Sequence, residues 1–130
     1  MVLVKVEIIK GKTKEYKNAL LNGIHEALVN ALKIPDNERT QRLYELEPDN
    51  FEIMTNKTEL YTLIEITMFQ GRSDNAKKHL FNEIVDNLAK SPGINGNDII
   101  IVIYEPPLKN WGIRGGKPAS EVDLGFKIDI

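Results

Sequence analysis

The chain has 130 residues, of which 42% are apolar and 28% are charged, a length and composition typical of one soluble globular domain. It contains no cysteine, which excludes disulfides, zinc–thiolate sites and a thiol nucleophile. Seventeen Lys and Arg against nineteen Asp and Glu give a net charge of −2. This balance argues against binding to nucleic acids or anionic membranes, because proteins that bind them normally carry an excess of basic residues.

The first ten residues do not have the pattern of a signal peptide. They alternate apolar and charged side chains and lack the apolar core of a signal peptide. No apolar run along the chain approaches the roughly 18 residues that span a bilayer. We therefore predict a cytoplasmic protein that binds neither nucleic acid nor membrane.

An internal repeat with a period of 60 residues organises the chain. Residues 2–45 align with residues 62–105 without a gap, and identical pairs include Gly11/Gly71, Leu20/Leu80, Ile24/Ile84, Leu28/Leu88 and Tyr44/Tyr104. The apolar pattern agrees as well, which indicates a duplicated unit. We predict a single domain with unit one at 2–45, a connector at 46–60, unit two at 61–105 and a tail at 106–130.

Each unit has the pattern of a strand, a helix and a second strand. Period-two alternation predicts the opening strands, and apolar spacing of three and four residues predicts helices that begin after Thr13 and Ser73. Pro35 and Ser91-Pro92-Gly93 end these helices. The predicted strands are residues 2–9, 40–46, 61–69 and 98–105.

Two such units predict an α/β fold, with a four-stranded sheet and both helices on one face, because strand–helix–strand crossovers are right-handed. The other face would be bare, and Ile99–Ile103 would place a large apolar patch on it. We therefore predict an obligate oligomer. Residues 122–130 alternate without interruption, which predicts a C-terminal strand that pairs with a sheet edge, its own or a neighbour's.

Several short segments stand in an order that resembles a known family. They are Leu3–Val6 with Gly11–Thr13, Ile34–Arg39, Gly71–Ser73, Ser91–Gly93 and Asn110–Gly112. Over roughly residues 2–112 the chain resembles the tautomerase superfamily, in its long-subunit branch with malonate semialdehyde decarboxylase and relatives. The resemblance implies a tautomerase-like trimer without a cofactor that acts on a small 2-oxo or enol carboxylic acid.

The resemblance also implies the site residues. Val2 stands where the family has a catalytic amino-terminal proline; once Met1 is removed, its primary amine would transfer the proton. Arg72 matches the substrate-binding arginine, although Gln70 replaces a second arginine of the branch. Glu38 matches an acidic residue that orients a catalytic water in the family. The alternative for Glu38 is an ion pair with Arg39. We also predict that Arg39 binds substrate.

Trp111 matches an aromatic wall of the family's pocket, although an oligomer contact is the alternative for this single tryptophan. His25 and His79 lie on separate predicted helices, which argues against a metal site. Because the proline is replaced by Val2, two functions stay open. One is a tautomerase-like enzyme, and the other is a non-catalytic trimer that binds a small ligand or a protein partner.

Overall fold

Strands and helices alternate along the chain in the predicted order. The computed structural model describes residues 1–130, and its strands and α-helices are β1 (Val2–Ile9), α1 (Lys14–Leu32), β2 (Thr40–Leu46), β3 (Thr62–Met68), α2 (Asp74–Lys90), β4 (Ile99–Tyr104), β5 (Gly112–Ile113) and β6 (Lys117–Pro118). Short 3₁₀ turns lie at Pro48–Asn50, Gly96–Asp98, Leu108–Asn110 and Ala119–Glu121. Neither α-helix is both long and apolar enough to cross a membrane.

The four long strands form one mixed sheet in the order β2-β1-β3-β4. Within each unit the two strands are parallel, whereas β1 and β3 pair antiparallel at the centre, with Val4 opposite Ile66. The antiparallel pairing relates the two units by an approximate two-fold axis between β1 and β3. The predicted α/β fold class, with its four-stranded sheet and two helices, is confirmed.

Both helices begin at the residues that the sequence indicates. The hydroxyl oxygens of Thr13 and Ser73 accept hydrogen bonds of 3.1 Å from the backbone N–H groups of Tyr16 and Ala76. Such caps satisfy donors that have no partner within the helix and contribute about 1 kcal/mol each. Helix α1 ends at Leu32, and Lys33, whose φ is 58°, turns the chain away through the left-handed region.

The core lies between the sheet and the helices. Alternate residues of β1 and β3 are buried, because successive side chains of a strand point to opposite faces. The helices bury one stripe each against them. The largest fully buried side chains of this core are Ile8, Leu20, Ile24, Leu28, Leu32, Ile64, Ile66, Met68, Leu80, Ile84 and Leu88.

The opposite face of the sheet is open, as predicted, but it is less apolar than Ile99–Ile103 suggested. Of the run Ile99–Ile103, only Ile100 and Val102 belong to the open face, which β4 continues with Tyr104, since Ile101 and Ile103 pack against the core. At the centre, Lys5 Nζ lies 4.0 Å from Glu65 Oε1. The open face therefore combines a charged centre with an apolar edge.

The strand predicted at residues 122–130 is wrong for the single protomer, where the C-terminal strands are β5 and β6 instead. The residues of the tail do alternate between half-buried and exposed, so the alternation in the sequence correctly predicted which side chains pack against the protein. Its backbone pairs with no sheet edge; the carbonyl of Ile130 accepts a hydrogen bond of 2.8 Å from the Ser73 hydroxyl. Pairing of the tail with a neighbour's edge stays a prediction.

Candidate active site

A small cavity lies where the amino terminus meets the C-terminal hairpin. It has a volume of about 120 Å³ and is lined by Met1, Glu38, Phe69, Ile113, Arg114, Leu124 and Phe126. The start of β1 and the loop before β2 supply its polar side, while the hairpin and the tail supply most of its apolar wall. The cavity thus brings an amine and a carboxylate together beside apolar side chains.

Two larger depressions, of about 310 and 300 Å³, lie along the helical face. Their charged side chains, Glu15, Glu26 and Lys90, are exposed, so water already solvates them. The structure contains no group of three or more His, Asp or Glu side chains that could hold a metal ion. The smaller cavity is the candidate site because, of the three, only it has a partly buried carboxylate, that of Glu38, and a partly buried amine, that of Met1, in its lining.

Arg72 does not line this cavity, but it contacts Phe69, which does, and it is only 5% exposed. Its Nη1 donates a hydrogen bond of 3.2 Å to the carbonyl of Phe69, whereas Nε and Nη2 are buried without a partner. Burial lowers the pKa of the Arg72 guanidinium, and the charges of Glu38 and Glu105 oppose that change. Arginine stays charged in proteins, so a buried guanidinium with free donors calls for an anion.

The backbone amine of Met1 lies 3.1 Å from Glu38 Oε1, and the two side chains are 45% and 20% exposed. Burial lowers the pKa of this amine below its ordinary value of 8.0; the charge and hydrogen bond of Glu38 raise it, and the charge of Arg72 lowers it further. The net decrease makes the neutral, proton-accepting amine available nearer to neutral pH.

We expect the Met1 amine to titrate below pH 8.0, which can be measured by NMR after reductive methylation with ¹³C-formaldehyde. Arg72→Ala removes a repelling cation and should raise this pKa, whereas Glu38→Gln removes an attracting anion and should lower it. Lys78, an exposed lysine of α2, is the internal control and should not respond to either change. A Met1 pKa at or above 8.0 would contradict the buried amine.

Trp111 supports the apolar wall from behind rather than lining the cavity. It is 8% exposed, and its Nε1 donates a hydrogen bond of 3.1 Å to the carbonyl of Pro106. Its ring meets the ring of Phe69 edge to face, with centroids 4.8 Å apart and an interplanar angle of 75°. Phe69, which lines the cavity, is therefore held between Trp111 and the sheet.

Of the residues selected from the sequence, the structure brings Glu38 and Arg72 together with the amino terminus. It does not bring Arg39, which is exposed and donates a hydrogen bond to Asn22 Oδ1 on α1. The alternative ion pair between Glu38 and Arg39 is therefore wrong. In this structure the amine beside Glu38 is that of Met1, and the Val2 side chain is buried in the core.

Sequence reasoning missed the part of the site that the tail builds. Leu124 and Phe126 form the wall, and the alternation of residues 122–130 was the signal for their half-burial. Arg114 was missed as well. It has a φ of 50°, and its Nη1 donates a hydrogen bond of 2.6 Å to the carbonyl of Asp123, which joins the hairpin to the tail at the rim of the cavity.

Comparison with known proteins identifies the family of this chain. A family model described as a tautomerase enzyme matches residues 38–114, which is more than half of the chain, and a second model of the same description matches residues 3–55. The chain belongs to the tautomerase family. Its two units and its length place it with the long-subunit members.

Individual relatives of this tautomerase are distant but cover nearly all of it. The probable tautomerase YusQ of Bacillus subtilis is 20% identical over 122 residues, which are 90% of this chain and 96% of YusQ. The structure of malonate semialdehyde decarboxylase superposes with a TM-score of 0.81 at 22% identity, over 89% of this chain and 93% of that one. The structure of a fused 4-OT solved as an asymmetric trimer superposes with a TM-score of 0.82 at 25% identity, over 95% of this chain and 99% of that one.

Proposed function

We propose that this tautomerase-family chain is an isomerase that moves a proton on a small 2-oxo or enol carboxylic acid through its amino-terminal amine. One observation carries the proposal. The Arg72 guanidinium is buried with two unpaired nitrogens, Nε and Nη2, and it contacts Phe69, which lines the cavity together with Met1 and Glu38. An anion-binding group and a proton-transfer group side by side are what this chemistry needs.

In the proposed reaction, Nε and Nη2 of Arg72 bind the substrate carboxylate, because a guanidinium matches a carboxylate with two parallel hydrogen bonds. The neutral amine takes a proton from the carbon next to the carbonyl, and the electron pair of that C–H bond forms the enolate. The ammonium then gives the proton to the enolate oxygen, or the steps run in reverse. Glu38 stabilises the ammonium between the two transfers.

The apolar wall completes this site. Phe69, Leu124 and Phe126 exclude water from the reacting carbon, which strengthens the interaction of Arg72 with the developing enolate. Trp111 contributes by holding Phe69. Arg39 binds Asn22 and lies away from the cavity of its own protomer. It can bind substrate only if it reaches the cavity of a neighbouring chain, and the proposal keeps its substrate-binding role in that form.

The identity of the amine separates two candidate functions. If Met1 is removed, the amine belongs to Val2, and one residue moves it by up to about 3.3–3.6 Å. The second candidate is a non-catalytic trimer that binds a small ligand or a protein partner, and the observation that favours it is that Met1 itself lines the cavity. In that case Met1 occupies part of the space in which the reaction would occur.

Assembly belongs to the same proposal. We propose that three chains cover one another's open sheet faces, as the fused 4-OT structures described as trimers suggest for this fold. A cytoplasmic location and the absence of nucleic-acid or membrane partners stay predictions.

The proposed function is tested by the ketonisation rate of phenylenolpyruvate, followed by ultraviolet absorbance, with untagged protein whose amino terminus is verified by intact mass. Val2→Pro is compared with Val2→Ala as the matched control, since both change the same side chain but only one supplies a proline amine. Turnover by the parent protein supports the enzyme. Turnover by Val2→Pro alone supports the binding protein, and no turnover by any of the three contradicts a tautomerase site.

A further inference from the structure

The 60-residue repeat places two copies of the polar site at opposite ends of the sheet. The first copy contains Lys12 and Asp98, and the second copy is the site with Arg72 and Glu38 described above. Lys12 is the repeat equivalent of Arg72, and Asp98 is the repeat equivalent of Glu38. The likeness extends to contacts: Lys12 Nζ donates a hydrogen bond of 3.1 Å to the carbonyl of Ile9, just as Arg72 donates one of 3.2 Å to the carbonyl of Phe69. The two copies therefore place a cation and a carboxylate at equivalent positions, with the cation bound to the same strand-end carbonyl.

The connector between the units fills the first copy. Asp98, which is 3% exposed, accepts a hydrogen bond of 2.8 Å from the Thr58 N–H on Oδ1 and one of 2.6 Å from the Thr58 hydroxyl on Oδ2. Lys12 Nζ donates a hydrogen bond of 2.8 Å to the carbonyl of Glu59. The adjacent residues Thr58 and Glu59 thus satisfy both groups: Thr58 donates two hydrogen bonds to the Asp98 carboxylate, and the Glu59 carbonyl accepts one from the Lys12 ammonium.

The second copy lacks these partners. Nε and Nη2 of Arg72 and Oε2 of Glu38 are buried without a hydrogen bond, and the only partner of the Glu38 carboxylate is the Met1 amine on Oε1. Buried polar atoms are nearly always paired. The atoms left free in the second copy belong to the same cation and carboxylate that Thr58 and Glu59 satisfy in the first.

We propose that Thr58-Glu59 acts as an internal ligand and shows what the open copy binds, namely a short carboxylic acid that carries a hydroxyl group. The hydroxyl donates to Oε2 of Glu38, as the Thr58 hydroxyl donates to Asp98, and the carboxylate accepts from Arg72, as the Glu59 carbonyl accepts from Lys12. This inference rests on the proposed function, because it concerns the same site, and it makes Glu38 the residue that selects for the hydroxyl.

Other ligand classes fit less well. A saturated keto acid offers no donor to Glu38, whereas its enol does. An ammonium donor would add a third cation beside Arg72 and the Met1 amine, and a fully ionised phosphate would face the Glu38 carboxylate without a proton to donate. A hydroxyl group supplies the donor without a charge.

The test measures binding of four sodium salts by calorimetry or NMR titration: lactate, 3-hydroxypropionate, propionate and 2-methoxypropionate. A hydrogen bond to a buried carboxylate predicts that one of the two hydroxy acids binds at least about tenfold more tightly than propionate. The methoxy acid accepts but cannot donate a hydrogen bond, so it should have no such advantage. This comparison within the parent protein depends on no variant.

Two variants then assign the preference. Glu38→Gln should reduce it to less than about threefold, since the amide cannot offer a second oxygen while the first is held by the Met1 amine. Asp98→Asn, the matched change in the filled copy, should leave the preference intact. Equal binding of all four acids that is lost in Arg72→Ala overturns the inference and leaves the Arg72 clamp standing. Binding that is absent, or unchanged in Arg72→Ala, overturns both.

Discussion

Arg72→Ala is expected to lower kcat/KM for a carboxylic acid substrate by about a hundredfold or more, because two charge-assisted hydrogen bonds to the substrate are lost. The same change should leave the free energy of unfolding equal or higher. Arg72 is a buried cation with only one protein hydrogen bond, and removing an incompletely paired buried charge relieves its desolvation. Loss of turnover without loss of stability identifies a residue kept for ligand binding.

Arg72→Lys is the matched control. Lysine keeps the charge but not the planar fork, so its kcat/KM should fall between those of the parent and Arg72→Ala. Stability is measured by urea unfolding in the absence of ligand, and turnover by the ketonisation assay. If Arg72→Ala keeps the parent's kcat/KM, or if it unfolds the protein, Arg72 is a structural residue and the proposed clamp is wrong.

Local pattern predicts most of the fold, because it reports which residues face a core. The bounds of β1 and β2 agree with the alternation of residues 2–9 and 40–46, and Thr13 and Ser73 cap the helices as their side chains indicate. The pairing between the units is different. Whether β1 meets β3 antiparallel depends on contacts between residues far apart in the sequence, such as Val4 with Ile66, and no local signal encodes them.

The tail shows the limit of alternation as evidence. Residues 122–130 alternate in burial as a half-buried strand would, yet no strand forms in the protomer. Alternation reports an extended chain with one side against an apolar surface. It does not report where the backbone hydrogen bonds go, because those depend on a free sheet edge within reach.

The candidate site also has a part whose position the sequence predicts and a part whose position it does not. Arg72 is predictable because it follows a strand and precedes a helix at a fixed spacing, so the fold determines its place. Glu38 and Arg39 are adjacent in a loop, yet Glu38 contacts the Met1 amine while Arg39 contacts Asn22. Which of two adjacent loop residues faces the site depends on the loop conformation, for which the sequence gives no periodic signal.

Duplication accounts for a further part of the site. Two units with the same strand, turn and helix begin with two equivalent polar ends. The connector fills one of them with Thr58 and Glu59, and the other stays open beside the amino terminus. The asymmetry comes from segments outside the repeat, and so one chain of two units presents one candidate site.

Ile100→Lys is expected to prevent self-association. Ile100 lies on the open face of β4 beside Leu63, at the apolar edge that the proposed trimer covers. A lysine buried there without a partner would destabilise each interface by about 3–5 kcal/mol, which corresponds to a shift of at least about a hundredfold in the concentration at which the chains assemble. Light scattering of the parent should give the mass of three chains of 14.8 kDa, and that of the variant one chain.

Asn18→Lys adds the same charge to an exposed position of α1 and should leave the assembly intact, which separates a local effect at the sheet from a general effect of charge. A monomeric parent at micromolar concentration would contradict the trimer. The open face would then have to be stable in water, with the Lys5–Glu65 pair solvated at its centre and Tyr44 and Tyr104 exposed as they are in the protomer. The cavity would in that case be complete within one chain, and Arg39 would have no route into it.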